Sequence, residues 1–202
     1  MIPAVILSAG KSTRMGSAKA LLPIDSGETF LTRIILTMQS AEVEDIVVVL
    51  GHQADEIAER VVKRGLAPRL VINADYESGQ LSSLLTGLRA IDRPGVTAML
   101  LTLVDVPLVG PGTVRAVLDR YRAAHPPIVR PVDRLRHGHP IVIDRTVFDE
   151  IRRADPSIGA KPIIRSHVSP AGDVPVADEG AFCDIDTPED YARLVGERLR
   201  LS

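Results

Sequence analysis

Residues 7–23 read LSAGKSTRMGSAKALLP, and the organisation of the chain follows from what this stretch must do. It comes directly after an apolar, β-branched run at residues 2–7, which has the character of a strand buried on both faces. Gly10 and Gly16 allow the backbone after that strand to come close to a ligand. A loop of small residues after a parallel strand presents N–H groups to an anion. Arg14 and Lys19 then add fixed positive charge, which a polyphosphate requires both when it binds and when its leaving group departs. Without further support the same residues make an ordinary turn between strand and helix with two solvated cations. The order G-x-x-x-x-G-K-[ST] of one phosphate loop is absent, and so is the dinucleotide pattern G-x-G-x-x-G.

The pattern repeats outward from this stretch. Residues 45–50, 69–73 and 97–104 are continuous or nearly continuous apolar runs. Between them lie segments of helical period: Phe30, Ile34, Ile35 and Met38; then Ile57, Val61 and Val62; then Leu81, Leu84, Leu85 and Leu88. Pro111 suits the start of a helix carrying Val114, Val117, Leu118 and Tyr121. Strand and helix in alternation predict an open, mainly parallel sheet with helices on both faces. Residues 126–140, rich in Pro, Arg and His, read as an inserted hairpin or loop rather than a domain boundary. Near the end, Thr187 as N-cap, Pro188 at the first helical position and Asp190 in the capping-box position predict a last helix.

Composition narrows the classes. A chain of 202 residues, 45% apolar, can bury a sizeable core and suits one domain over residues 1–202. A net charge of −2 with signs interspersed gives no case for nucleic acid or a membrane surface as partner. Cys183 is the only cysteine, so no intrachain disulfide can form. With no signal-peptide pattern and no apolar span of membrane length, the expectation is a cytoplasmic protein.

Two more stretches carry chemistry. Residues 100–107, LLTLVDVP, end an apolar run in Asp105, which places a carboxylate at the sheet edge where open α/β sheets bind ligands. Mg²⁺ takes one or two carboxylates together with phosphate oxygens and waters, so a lone Asp beside a polyphosphate is chemically sensible. Residues 183–190, CDIDTPED, hold Asp184 and Asp186 just before the last helix.

LSAGKSTRMGSAK resembles the signature L-x-[AG]-G-x-S-x-R-M-G-x-x-K of the MobA/MocA-like nucleotidyltransferases, the molybdenum-cofactor guanylyl- and cytidylyltransferase group, at every fixed position. The resemblance implies that the backbone of Leu7, Ser8, Ala9, Gly10, Ser12 and Gly16, with Arg14, holds the β- and γ-phosphates of an NTP. Lys19 reaches the α-phosphate, and Lys19, Arg14 and Asp105 form the catalytic set. The D-x-P at Asp105 matches the family, with Val104 where Gly is usual, and DIDTPED makes Asp186 the second Mg²⁺ ligand. Asp184 stays open between metal and helix cap. Asn73 and residues 79–84 match N-x-x-[WYF]-x-x-G-x-x-x-S-[LI]. There Gly79 admits the base edge, and Ser82 or Ser83 bonds to base or ribose. Read without the family, these serines are helix caps. Gly51 lies near the base. On the acceptor side, GHP at 138–140 and IGAKPIIRSH at 158–167 resemble the cytidylyl branch and point to His139, Lys161 and Arg165. Asp155-Pro156-Ser157 replaces the Gly-Asp usually found before the latter.

By resemblance the fold is a three-layer α/β/α sandwich, Rossmann-like and of GT-A nucleotidyltransferase type, with a mostly parallel sheet and one antiparallel excursion. The implied reaction is attack by an acceptor phosphate on the α-phosphorus of an NTP, with Mg²⁺ as cofactor and release of pyrophosphate. Ser8-Ala9-Gly10, GHP and IGAK favour CTP, with molybdopterin as acceptor and a molybdoenzyme as a further partner. The rivals are a GTP-using enzyme, a sugar-phosphate nucleotidyltransferase, and a non-catalytic carrier of the cofactor. An NAD-binding redox protein is disfavoured by the missing glycine pattern.

Overall fold

The computed structural model describes residues 1–25 and 27–201, with side chains described through residue 194. The strands in chain order are β1 (Ala4–Ser8), β2 (Pro23–Asp25), β3 (Glu28–Thr29), β4 (Ile46–Leu50), β5 (Arg69–Ile72) and β6 (Ala98–Leu103). They continue with β7 (Ile128–Asp133), β8 (Arg136–His137), β9 (Ile141–Asp144) and β10 (Asp173–Pro175). The helices are α1 (Phe30–Ser40), α2 (Ala54–Lys63), α3 (Gln80–Ile91), α4 (Pro111–Ala124), α5 (Phe148–Arg152), α6 (Lys161–Ser166) and α7 (Pro188–Leu201).

The main sheet runs in the order β10-β7-β9-β6-β1-β4-β5, with β8 paired to β7, while β2 and β3 form a separate hairpin. β1 is an inner strand, parallel to β4 on one side and to β6 on the other. All five residues of β1 and all five of β4 are buried, which is why both read as unbroken apolar runs rather than as alternating strands. β9 is antiparallel to both β6 and β7, the single reversal inside the sheet.

Alternate residues of β1 serve opposite faces. Ala4 and Ile6 pack with Ile34, Ile35 and Met38 of α1, Ile57 and Val61 of α2, and Val114, Val117 and Tyr121 of α4. Val5 and Leu7 pack with Leu81, Leu84 and Leu88 of α3 and with Phe148 and Ile151 of α5. The result is the expected three-layer sandwich. α3 lies so close to the sheet that a Cβ at Gly87 would stand 2.5 Å from Val5 Cγ1 and 3.2 Å from Val49 Cγ2. α7 begins as its sequence predicts: the Asp190 carboxylate accepts from the Thr187 N–H at 3.1 Å, and the Thr187 hydroxyl accepts from the Asp190 N–H at 3.2 Å.

Three expectations need correction. Val62 is 67% exposed, so only Ile57 and Val61 make the buried stripe of α2. Residues 126–140 do form a hairpin, β7 with β8, but β7 is no insertion. It is an inner strand between β9 and β10. The serines at 82 and 83 do not cap α3 either. Gly79 holds that position with φ 101° and no side-chain cap, while the Ser82 hydroxyl turns back to the carbonyls of Asp75 and Gly79, 2.8 Å from each. Among the described residues no helix is long and apolar enough to cross a membrane.

The contact at Gly87 gives a direct test of the layer spacing. Gly87→Val should destabilise the fold by about 3 kcal/mol, because a close-packed core cannot absorb the added methyls without shifting α3. Gly112→Ala, in a helix where nothing lies within 4 Å of the added Cβ, is the contrast and should be neutral or mildly stabilising. Urea unfolding of both variants measures the difference; an unchanged midpoint for Gly87→Val would mean that α3 packs farther from β1 than described.

Candidate active site

The carboxyl ends of β4, β1 and β6 lie level, since Leu7 pairs with Val49 on one side and with Leu103 on the other. The loop after β1 rises over this edge. Two left-handed residues shape it, Ser12 at φ 50° and Gly16 at φ 70°, on either side of a short turn at Thr13–Met15. The Ser12 hydroxyl then accepts from the Lys19 N–H at 3.1 Å, which closes the loop and fixes where the Lys19 side chain starts. Leu7, Ala9, Gly10, Ser12, Arg14 and Lys19 line one wall of a cavity of about 330 Å³. Gly79 and Ser83 line the opposite wall, and Asp105 and Asp186 line it at Lys19.

The charges converge there. Lys19 is only 9% exposed, and its Nζ stands 2.6 Å from Asp186 Oδ1 and 3.6 Å from Asp105 Oδ2. Asp105 follows the end of β6, and its carbonyl accepts from the Ile185 N–H at 2.9 Å, which ties the segment bearing Asp184 and Asp186 to the sheet edge. Burial pushes the Asp105 carboxyl above its usual range; Lys19 works against this, while Asp184 and Asp186 add to it. Its Oδ1 is buried without a hydrogen-bond partner.

This donor set fits a hard divalent cation. Two carboxylates converge, one with an unused oxygen, beside a cavity wide enough to bring further oxygen ligands. Among the described residues no group of three or more His, Cys, Asp or Glu could hold a metal by itself, so such a cation would complete its shell from substrate and water.

The remaining predicted residues divide into lining and support. Ser8, Gly16, Gly51, Asn73 and Ser82 stand outside the lining of this cavity. Asn73, 3% exposed, donates from Nδ2 to the hydroxyls of Ser82 at 2.8 Å and Ser83 at 3.0 Å, and accepts from the Asp75 N–H at 3.0 Å. It thereby braces the opposite wall. Gly51 is needed for close approach: a Cβ there would lie 2.7 Å from both the Ala9 carbonyl oxygen and Tyr76 Cβ. Asp184 does not cap α7; it is exposed and faces a second cavity.

That second cavity, about 710 Å³, adjoins the first along Leu7, Gly79, Gln80 and Leu103. Its lining includes His139, Lys161 and Arg165. The His139 ring is held below its ordinary pKa by burial, opposed by the Leu101 carbonyl and the charges of Asp105 and Asp184. Its Nδ1 has no partner, and a neutral imidazole there offers a hydrogen-bond acceptor rather than a cation. Sequence reasoning missed Tyr76 and Gln80 in the first cavity and Arg130 and His137 in the second. Tyr76 had a signal, the aromatic position three residues after Asn73. Arg130 had another, a lone cation inside an apolar strand.

The chain is similar to known proteins over most of its length. A family profile described as the MobA-like NTP transferase domain matches residues 4–171. The nicotine blue oxidoreductase of Paenarthrobacter nicotinovorans is 32% identical, over 96% of both chains. The molybdenum cofactor cytidylyltransferase of Escherichia coli is 26% identical, over 94% of this chain and 93% of that one. Among solved structures, Rv0371c from Mycobacterium tuberculosis H37Rv superposes with a TM-score of 0.79 at 30% identity, covering 97% of this chain and 98% of its own. The same protein has also been solved in complex with manganese (TM-score 0.75, 28% identity, 96% and 98% coverage).

The raised carboxyl of Asp105 makes a prediction with a definite sign. Because its folded pKa lies above the unfolded 3.8, the folded state holds the extra proton, and stability falls as pH rises through that window. Above the folded pKa the whole penalty is present. Asp105→Asn should therefore raise Tm at pH 7. The gain should shrink toward zero below the unfolded pKa. Thermal scans at pH 7 and pH 3 check this; a lower Tm at pH 7 would mean that Asp105 is held by its attraction to Lys19 more than it is penalised by burial.

Proposed function

The chain belongs to the MobA-like NTP transferase family, and on that premise we propose that it transfers a nucleoside monophosphate from Mg²⁺-NTP, with CTP favoured, to a phosphorylated acceptor, and releases pyrophosphate. The observation that carries this reading is the Lys19 ammonium between Asp105 and Asp186, at the edge where a cavity for nucleotide adjoins a larger one for acceptor.

Mg²⁺ held by Asp105 and Asp186 would neutralise charge on the triphosphate oxygens. The N–H groups of residues 7–16 and the Arg14 guanidinium take up the β- and γ-phosphates. Lys19 exchanges its carboxylate partner for an α-phosphate oxygen. An oxygen of the acceptor phosphate, already ionised at neutral pH, forms the new bond to the α-phosphorus while the bond from the α-phosphorus to the α–β bridging oxygen breaks. That bridging oxygen keeps the electron pair and leaves with pyrophosphate. No strong base is required, which accords with the burial that holds the His139 ring below its ordinary pKa. Catalysis is mainly positioning and charge stabilisation.

CTP is favoured by Ser8-Ala9-Gly10, in the loop whose Ala9 carbonyl meets His52 N–H at 3.1 Å and crowds Gly51. Molybdopterin is the favoured acceptor because the second cavity is large, and Leu81, Leu84, Leu101, Ile128 and Ile141 give it an apolar wall. A bare sugar phosphate would leave much of that wall uncovered. A molybdoenzyme is the natural recipient of such a product, and a cytoplasmic protein acting as one domain over residues 1–202 suits that role. A redox reading draws on the oxidoreductase name of one relative; the intact set of Arg14, Lys19, Asp105 and Asp186 favours transfer, and it equally disfavours a simple carrier.

Pyrophosphate release from each of the four NTPs, with and without molybdopterin, tests the proposal. CTP should support acceptor-dependent release, and EDTA should abolish it until Mg²⁺ or Mn²⁺ is restored. Lys19→Ala should lower kcat by a factor of about 10² or more, the scale for losing one charge-stabilising donor. Tight Mg²⁺-NTP binding with no release from any NTP would overturn the transferase reading.

A further inference from the structure

The floor of the second cavity carries a cation that the transfer chemistry leaves without a task. Ile128 of β7 packs into the apolar layer beneath α3 and α5. Arg130, two residues on, shares that face by strand alternation and lines the cavity. Its side chain is only 17% exposed. Apolar neighbours surround the position, Ile128, Ile141 and Leu101 among the lining, and a branched aliphatic residue would pack there without any desolvation cost.

The way Arg130 is held matters. Its partner is Asp173, directly opposite in the adjoining strand β10, and the bond runs from Nε to Asp173 Oδ1 at 2.7 Å. Neither terminal nitrogen makes a hydrogen bond to a described residue, and neither is sealed away from solvent. The carboxylate thus fixes the plane of the guanidinium and leaves the fork to the cavity. A fork of two parallel N–H donors matches an oxyanion with two adjacent oxygens. Lys161 and Arg165, one turn apart on α6, line the same cavity and make no ion pair among the described residues. The acidic side chain lining it, Asp184, is next to the reaction centre.

Register gives the spacing. Val129 pairs with Val142 and Ile141 with Leu101, so Arg130 lies two strands across from β6 and level with Leu101, four residues before Asp105. At about 4.8 Å per strand and 3.3 Å per residue, Arg130 stands on the order of 16 Å from Asp105, beside which the reacting phosphate would lie. We propose that Arg130, pre-oriented by Asp173, is the centre of an oxyanion subsite in the second cavity, and that the acceptor carries a second anionic group at this distance from the phosphate that is nucleotidylated. The group is a carboxylate, a phosphate or a metal oxyanion, all of which offer the fork two oxygens. The inference rests on the second cavity's being the acceptor site.

The test measures binding apart from turnover. With Mg²⁺-CTP saturating the first cavity, the protein is titrated separately with acetate, inorganic phosphate and molybdate, and the backbone amide shifts of β7 and α6 are followed. At least one probe should give a saturable shift, and the probe that binds most tightly identifies the group. Arg130→Lys, which keeps the charge and loses the fork, should weaken binding at least tenfold. The double variant Arg130→Gln/Asp173→Asn, which removes the pair together and leaves no unpaired buried charge, should abolish it while Mg²⁺-CTP binding is retained. In turnover the double variant should raise the acceptor KM at least tenfold with little change in the CTP KM. No saturable shift with any probe, or shifts that persist in the double variant, would overturn the subsite. Oxyanion binding lost in the double variant, with no phosphorylated acceptor supporting pyrophosphate release, would uphold the subsite and bring down the transfer reading instead.

Discussion

A lysine is buried in a protein only when its charge is answered, and the ammonium of Lys19 is answered by two carboxylates brought from distant parts of the chain. Asp105 arrives on the central strand next to β1, and Asp186 arrives from the segment before α7, 167 residues beyond Lys19. Much of the rest of the structure serves that meeting. The Asp178 carboxylate accepts from the Gly110 N–H at 2.8 Å and the Thr113 hydroxyl at 2.6 Å, which pins the returning chain to the start of α4. Gly180 and Gly138 allow backbone to meet backbone: added Cβ atoms would stand 2.1 Å from the Leu108 oxygen and 2.0 Å from the Ala181 oxygen. Arg136 lies over the Phe182 ring at 4.8 Å. The strap from 178 to 186 is therefore held by the same hairpin that borders the second cavity, so the two cavities share a wall.

The two cavities differ in how their charge is arranged. The first is a place of compensated charge, in which a cation already sits between anions and a polyphosphate with its metal can exchange for those contacts. The second is apolar over most of its lining, with cations on one side and a single carboxylate toward the reaction centre. A ligand that crosses from one to the other must be strongly anionic at the near end and mixed in character beyond it. That asymmetry follows from the sheet. The parallel strands β4, β1 and β6 end together and give the first cavity its floor edge, whereas the reversal at β9 turns the face of the sheet itself into the floor of the second.

Legibility in the sequence followed the same division. Leu7 to Lys19 could be read because strand, loop and cation are contiguous, and the spacing of Gly10, Arg14, Gly16 and Lys19 is itself the structure of the loop. Asp105 was legible as the last residue of an apolar run, and the start of α7 from its reciprocal Thr187–Asp190 cap. The support residues were less legible. Asn73 and Ser82 hydrogen-bond to each other, a contact that no local spacing announces and that only the tertiary fold sets up. β9 and β10, of 4 and 3 residues, are too short for a periodic signal. β7 was hidden by Arg130 and Pro131, which interrupt an otherwise apolar strand. Val62 misled because helical spacing shows that a face exists, not how wide a stripe the sheet can cover.

The interruption at Arg130 and the orphaned oxygen of Asp105 belong to one kind of argument. Each is a polar group set where packing alone would choose an apolar one, and each is left incompletely satisfied. At Asp105 the unpartnered atom is buried, a cost on the order of 1–3 kcal/mol, whereas at Arg130 the terminal N–H groups still reach solvent. At Asp105 a cation would complete the site, since the unmet atom is a carboxylate oxygen beside another carboxylate. At Arg130 an anion would do so, since the unmet atoms are guanidinium N–H groups. The opposite signs at the two ends, and the separation fixed by strand register, define the substrate more narrowly than the volume of either cavity does.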